Sequence, residues 1–186
     1  MRTNKIIWVL IIIVAIILIF KREVLVCKKQ KKSIVSSCPI KTEERIVRGN
    51  SLSPLIKSGQ HIKALIGYYR CYPVKRNDIV LYHYTDDKNP LIKIVRAVPG
   101  DEWKLQKGNS GYNIIVNNRL LTNSEGELYQ VIGNRVKILQ IYIHDYPIIP
   151  QNTYLLLGDK INGSLDSTRF GLVDISSIIG KAILQN

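Results

Sequence analysis

The sequence predicts a mainly β protein, built of antiparallel sheets and carried behind a single N-terminal transmembrane helix. Three observations predict it. The first is an unbroken apolar run from Ile6 to Phe20, bounded by Lys5 and by Lys21-Arg22. The second is the text from Ile46 onward, short runs rich in Val, Ile and Tyr broken by Gly, Pro and Asn-containing turns, which is how strands and hairpins are written. The third is that no later stretch carries the sustained apolar period of a long amphipathic helix.

A chain of 186 residues has room for an anchor and one medium or two small packed units. Lys and Arg number 27 against 14 Asp and Glu, a formal charge of +13, and such a balance raises nucleic acid as a partner. The charge is concentrated away from the body: up to Arg48 there are 11 basic and 3 acidic residues. Most of the excess therefore flanks the apolar run. With no helix-turn-helix pattern, zinc-finger spacing or aromatic RNA-binding signature, nucleic acid is excluded as the partner. Cys27, Cys38 and Cys71 form no CxxC, and His61, His83 and His144 stand alone, so neither a metal nor a cofactor is expected. Cys38 and Cys71 are free to pair in an oxidising compartment, while scattered cysteines also serve as small apolar residues.

Taken in order, Ile6 to Phe20 is shorter than the roughly 20 residues of a usual spanning helix. Flanking lysines and arginines snorkel, and Val24 to Cys27 lengthens the apolar stretch. A cleaved leader needs a small-x-small site after its apolar core, and FKREVLVCKK offers none; Val26 also stands where a lipobox before Cys27 wants a small residue. Residues 1–27 are read as an uncleaved anchor contacting membrane lipids, and the lysine-rich residues 28–44 as a tether near the headgroups. The basic residues after the run outnumber those before it, so the positive-inside rule points the body to the cytoplasm. That orientation conflicts with the function the motifs imply.

Residues 45–186 form the β-domain. The expected strands are Glu44 to Val47, His61 to Ile66, Asp78 to Tyr84, Leu91 to Val98, Glu102 to Gln106, Tyr112 to Val116, Arg119 to Leu121, Tyr154 to Leu157 and Lys181 to Leu184. Asn117-Asn118 suits a tight hairpin, because asparagine tolerates positive φ. Thr122 to Pro150 has no clean period and reads as an inserted hairpin with loops, so about 105–150 make a smaller inserted β-subdomain. Asp174 to Ile179 reads as a single helical turn.

The chemistry begins at Arg48-Gly49-Asn50-Ser51-Leu52-Ser53-Pro54-Leu55, where a serine sits on a Gly-Asn turn closed by a proline. A serine hydroxyl is a poor nucleophile until a base takes its proton. No histidine has a context for that task, but a buried lysine does it, since burial disfavours the ammonium. Lys93 stands in LIKIV, where strand alternation puts it on an apolar face with Leu91 and Val95, and the turn Val98-Pro99-Gly100-Asp101 follows. Each residue has a mundane counterpart: an edge-strand lysine reaching water, a serine within a β-turn, and a polar hairpin end at Gly158 to Ser167.

Together and in this order, the stretches resemble type I signal peptidases, membrane-bound serine-lysine proteases. The resemblance covers about Ile46 to Ala182. The nucleophile motif Gly-x-Ser-Met-x-Pro-Thr-Leu matches GNSLSPLI, with Leu52 in place of methionine and Leu55 in place of threonine. The family's Gly-Asp-Ile-Val strand matches Asn77-Asp78-Ile79-Val80. The base motif Lys-Arg-Val-x-Gly-x-Pro-Gly-Asp matches KIVRAVPGD, departing at Ile94 and Ala97. The motif Gly-Asp-Asn-x-x-x-Ser-x-Asp-Ser-Arg matches GDKINGSLDST, with Thr168 where the family has an arginine and Arg169 one place later.

The resemblance implies Ser51 as nucleophile and Lys93 as base, a Ser164 hydroxyl orienting that lysine, and a structural Asp166 supported by Arg169 if a local shift permits. It implies the backbone N–H of Ser51 as oxyanion donor, with Asn50 as a possible second. Substrates would be preproteins bearing signal peptides, lying extended beside strand edges with small residues in shallow pockets walled by Leu52 and Ile92. The enzyme would act as a monomer, with its catalytic domain on the extracytoplasmic side of the cell membrane. Three alternatives stand beside this. One is a specialised relative that trims a pilin during conjugation, and another an inactive anchored β-domain that binds peptides by strand addition. The third, a self-cleaving repressor, would need a DNA-binding domain where the apolar segment lies.

Overall fold

The computed structural model describes residues 13, 14, 16–23, 38–84 and 89–185. The chain divides into two compact units, Met1–Pro39 and Ile40–Asn186. In the first, residues 13, 14 and 16–23 are helical and exposed. The rest of the expected anchor, and residues 28–37 of the tether, lie outside the described residues. No helix among the described residues is long and apolar enough to cross a membrane. Cys38 is disulfide-bonded.

The second unit is mainly β, as its text predicts. Its larger sheet has seven strands, β1 (Lys41–Ile46), β2 (His61–Ile66), β3 (Ile79–Tyr82), β4 (Leu91–Ala97), β9 (Thr153–Leu157), β10 (Val173–Asp174) and β11 (Ile178–Leu184). They lie in the order β1-β2-β11-β3-β4-β9-β10, each neighbouring pair antiparallel. A second sheet is built from β5 (Trp103–Lys107), β6 (Tyr112–Val116), β7 (Arg119–Leu120) and β8 (Gln130–Val131), with β8 paired to β6. Asn117 and Asn118 adopt φ of 49° and 60° and turn β6 into β7, the left-handed pair a two-residue hairpin requires. Cys71, in a loop after β2, is also disulfide-bonded.

Period-two alternation explains how the large sheet is buried. On β3, Leu81 packs with Val47, Leu52, Ile56 and Ile62 on one side, while Val80 and Tyr82 pack with Val95, Tyr154 and Leu156 on the other. On β4, Ile94 joins the first group and Val95 the second, so this strand is covered on both faces. A third cluster ties β9, through Leu155 and Leu157, to Trp103, Ile114 and Val116 of the small sheet. The two sheets thus share one continuous interior.

Two stretches differ from their sequence reading. Strand β1 begins at Lys41 and pairs with β2 along its whole length, although residues 41–44 read as part of the tether. Its residues are polar because it is an edge strand, and its place is set by backbone hydrogen bonds that composition does not report. Within Thr122–Pro150, residues Asn134–Asp145 form a helix, α1, where a hairpin with loops was expected. Val136 and Leu139 are buried on it, and Tyr142 and Ile143 pack on the same cluster. That is a helical period, blurred by the additional apolar residues Ile138 and Ile141. The expected turn near Asp174 is present as a 3-10 turn, Ile175–Ser177.

Candidate active site

The turn that carries Ser51 is built from its own backbone. Gly49 enters it at φ 81°, a conformation that suits glycine. The N–H of Ser53 donates to the carbonyl of Asn50 at 3.1 Å, and that of Ile56 to Leu52 at 2.8 Å. Leu52 then points inward. It is 1% exposed and packs in the core with Val47 and Ile56, so it anchors the turn rather than walling a substrate pocket. Adjacent side chains on a tight turn diverge, and with Leu52 in the core, Ser51 is half-buried and lines the cavity that also holds Lys93.

Lys93 comes to that serine from β4. Its Nζ donates to Ser51 Oγ at 2.9 Å and to the carbonyl of Ile92 at 2.9 Å, and the residue is only 2% exposed. Burial pulls the Lys93 ammonium down from an ordinary 10.5 to about 8, against the smaller opposing pull of the Asp166 charge. A group with that value is uncharged in roughly a tenth of molecules at neutral pH, and is a competent proton acceptor near its working range.

The loop after β9 wraps the serine turn from the other side. The N–H of Lys160 donates to the Ser51 carbonyl at 3.0 Å. A Cβ at Gly158 would lie 2.5 Å from that same carbonyl oxygen and 2.4 Å from Ser164 Oγ. Only glycine permits the approach. Asp166 is buried and caps the short helix α2 (Ser167–Phe170), accepting from the N–H of Thr168 at 3.1 Å, from its hydroxyl at 2.7 Å and from the N–H of Gly158 at 3.0 Å. Thr168, where an arginine was expected to be missed, is therefore the support of Asp166. Arg169 does not take that role: its Nε donates to the Ser164 carbonyl at 3.0 Å.

Ser164 is 1% exposed, and its hydroxyl has no hydrogen-bond partner among the described residues. It stands against Gly158 without bonding Lys93, whose donors go instead to Ser51 and Ile92. Asn50 lines a separate cleft beside the turn. Around Ser51 and Lys93 lies a cavity of about 490 Å³ walled by Val47, Ile62, Leu81 and Ile92. Ile92 of β4 lines it with Ile62 of β2, Leu81 of β3 and Val47 just after β1, and Glu44, Arg45 and Arg48 line it as well.

Further contacts went unread in the sequence. Asp159 is buried and accepts from the N–H of Ser124 at 2.9 Å and from its hydroxyl at 2.5 Å. The Tyr129 hydroxyl donates to the carbonyl of Gly158 at 2.6 Å. Both partners come from the hairpin of the small sheet, more than 25 residues earlier in the chain, and no local signal announces them. Thr168 was legible in principle, since a hydroxyl residue two positions after an aspartate is a common cap arrangement.

The family model described as "Signal peptidase, peptidase S26" matches residues 2–185. The chain belongs to the signal peptidase family. Signal peptidase IB of Staphylococcus aureus is 26% identical over 149 residues, covering 73% of this chain and 72% of that protein. A probable signal peptidase I-2 of a Synechocystis species is 27% identical over 149 residues, covering 77% of this chain and 62% of its own length. The crystal structure of a signal peptidase I from Enterococcus faecalis aligns with a TM-score of 0.38 and 16% identity, over 59% of this chain and 97% of that one. Membership of this family makes the chain a serine endopeptidase, a hydrolase of peptide bonds.

Proposed function

We propose that this signal peptidase removes N-terminal signal peptides from exported preproteins with a Ser51–Lys93 dyad, anchored by residues 6–20 on the outer side of the membrane. The observation that carries the reading is the 2.9 Å contact between Ser51 Oγ and a lysine amine that burial holds near neutrality. Neutral Lys93 accepts the serine proton as Oγ attacks the carbonyl carbon before the cut. The Ser51 N–H stabilises the oxyanion that forms. The resulting ammonium returns its proton to the departing amine, the C–N bond breaks, and an ester remains on Ser51. Lys93 then takes a proton from water, whose oxygen attacks the ester and releases the signal peptide with a new carboxylate. No cofactor enters the cycle.

The cavity beside Ser51 suits the acyl side of the substrate, since the aliphatic part of its wall, Val47, Ile62, Leu81 and Ile92, accepts small apolar side chains. Asp166 and Thr168 hold the loop that backs the serine, and so act as positioning residues. Disulfide-bonded Cys38 and Cys71 favour an oxidising compartment. They weigh for an extracytoplasmic body, against the flanking charges. Cleavage of a purified preprotein by Ser51→Ala and Lys93→Ala variants tests the dyad, and wild-type turnover by either ends it. Protection of the carboxy-terminal body from added protease in intact cells would end the topology.

A further inference from the structure

A second cleft, of about 980 Å³, opens beside the serine turn. Asn50 and Ser53 line it, together with Lys57, Lys160, Glu125 and Glu127. It meets the first cavity at Ser51, because Asn50 and Ser53 flank the residue that lines the first. Both carry charge: Glu44, Arg45 and Arg48 line the first beside its aliphatic wall, and Lys57, Lys160, Glu125 and Glu127 line the second.

The hairpin that carries the two glutamates is fixed to the catalytic loop. Ser124 clasps Asp159 through both its N–H and its hydroxyl, and Lys160, the next residue, donates its N–H to the Ser51 carbonyl at 3.0 Å. Within the hairpin, Asn123 Oδ1 accepts from the N–H groups of Glu125 and Glu127 at 3.0 and 2.9 Å, and Asn123 Nδ2 donates to the Glu127 carboxylate at 2.9 Å. The carboxylates therefore stand on a braced tip whose distance from the serine is set by direct bonds.

We infer that this cleft binds the first residues of the mature protein, the segment after the cut, and reads their charge. The inference deepens the proposed function and rests on it: a peptide whose carbonyl reaches Ser51 with its signal side in the first cavity runs on past Asn50 and Ser53, which line this cleft. That departing segment belongs to a water-soluble protein and carries polar residues for the charged side chains of the cleft to meet. Glu125 and Glu127 favour basic residues there, and Lys57 and Lys160 favour acidic ones, so the cleft sets which charge pattern is cut fastest.

The test uses the full-length enzyme in detergent and three peptides with one signal sequence, bearing Lys, Ala or Asp at the second to fourth mature positions. A fourth peptide ends one residue after the cut. The truncated peptide is expected to lose at least about tenfold in kcat/KM, as remote contacts are spent on the transition state. The double variant Glu125→Lys with Glu127→Lys should move the Lys-to-Asp preference toward Asp by about three- to tenfold, and Lys57→Glu with Lys160→Glu should move it the other way. Both substrates meet the same enzyme, so the ratio cancels any loss of folded protein. An unchanged ratio in both variants, or full activity on the truncated peptide, overturns the inference. Cleavage surviving in Ser51→Ala would instead overturn the dyad beneath it.

Discussion

Two lysines of the large sheet lie among apolar side chains, and they differ in what answers their charge. Lys181 on β11 meets Asp78 at 2.5 Å and sits 5.5 Å from the Tyr68 ring, while remaining 26% exposed. Asp78 is itself held by the Tyr69 hydroxyl at 3.1 Å and the N–H of Lys75 at 3.0 Å. Lys93 on β4 is deeper, and among the described residues its Nζ bonds only a hydroxyl and a carbonyl. Asp166 is close enough to be felt, but its bonds go to Thr168 and Gly158. Burial with a bonded counter-ion makes a cross-link between strands. Burial without one drives the ammonium toward the free amine, which is what a general base requires.

The comparison breaks first on activity. Arginine at 93 keeps the length and charge but cannot give up its proton, so Lys93→Arg should lose about 10²- to 10⁴-fold in kcat/KM. The wild-type rate should climb with pH as Lys93 deprotonates around 8. A rate that is flat from acid to well above that value would show that no such base operates.

The next effect is on stability, and its sign is the reverse of the usual mutation. The unfolded lysine keeps its proton up to about 10.5 and the folded one loses it near 8. Between these values the unfolded state binds more protons, so wild-type stability rises with pH across that window. Below it the full cost of burying the ammonium is present. Lys93→Met is therefore expected to be more stable than wild type at pH 7 by up to about 3 kcal/mol, at about 1.4 per unit. The gap should close toward pH 10.5, as read by denaturant melts.

Lys181 and Asp78 should behave in the opposite way. Asp78→Ala strands a half-buried ammonium and frees the Tyr69 hydroxyl, which should cost about 2 kcal/mol. The pH midpoint of activity should stay where it was. The smallest effect is at Thr168→Val, which removes one hydroxyl from Asp166 and should cost about 1 kcal/mol in a thermal melt, with activity within a few-fold of wild type. A large loss of activity there would mean that Asp166 does more than hold its loop.

Much of the fold was readable because strand text is local. Leu91 to Val98 is rich in Ile and Val and contains the strand Leu91–Ala97, and Asn117-Asn118 tolerates positive φ and makes the expected turn. Helix α1 hid because Ile138 and Ile141 thicken its apolar stripe until no single period stands out. The partners of the site were less legible. Leu52 was taken for a pocket wall and is core, since a turn's sequence does not say which neighbour turns in. Arg169 was expected at Asp166 on spacing, but Thr168 already sits at the cap with a donor N–H and a hydroxyl, and the guanidinium goes to Ser164 instead.

By itself the sequence determined the β character and the family, and singled out the candidate residues for the chemistry, because strand text, turn residues and motif spacing are written along the chain. The tertiary structure alone decided that Lys93 has no bonded counter-ion among the described residues, that Thr168 supports Asp166, and that a braced hairpin lines a cleft together with Asn50 and Ser53. Each of these depends on which distant groups share a desolvated volume. Burial and contact across tens of residues are properties of the packed chain, and no local pattern encodes them.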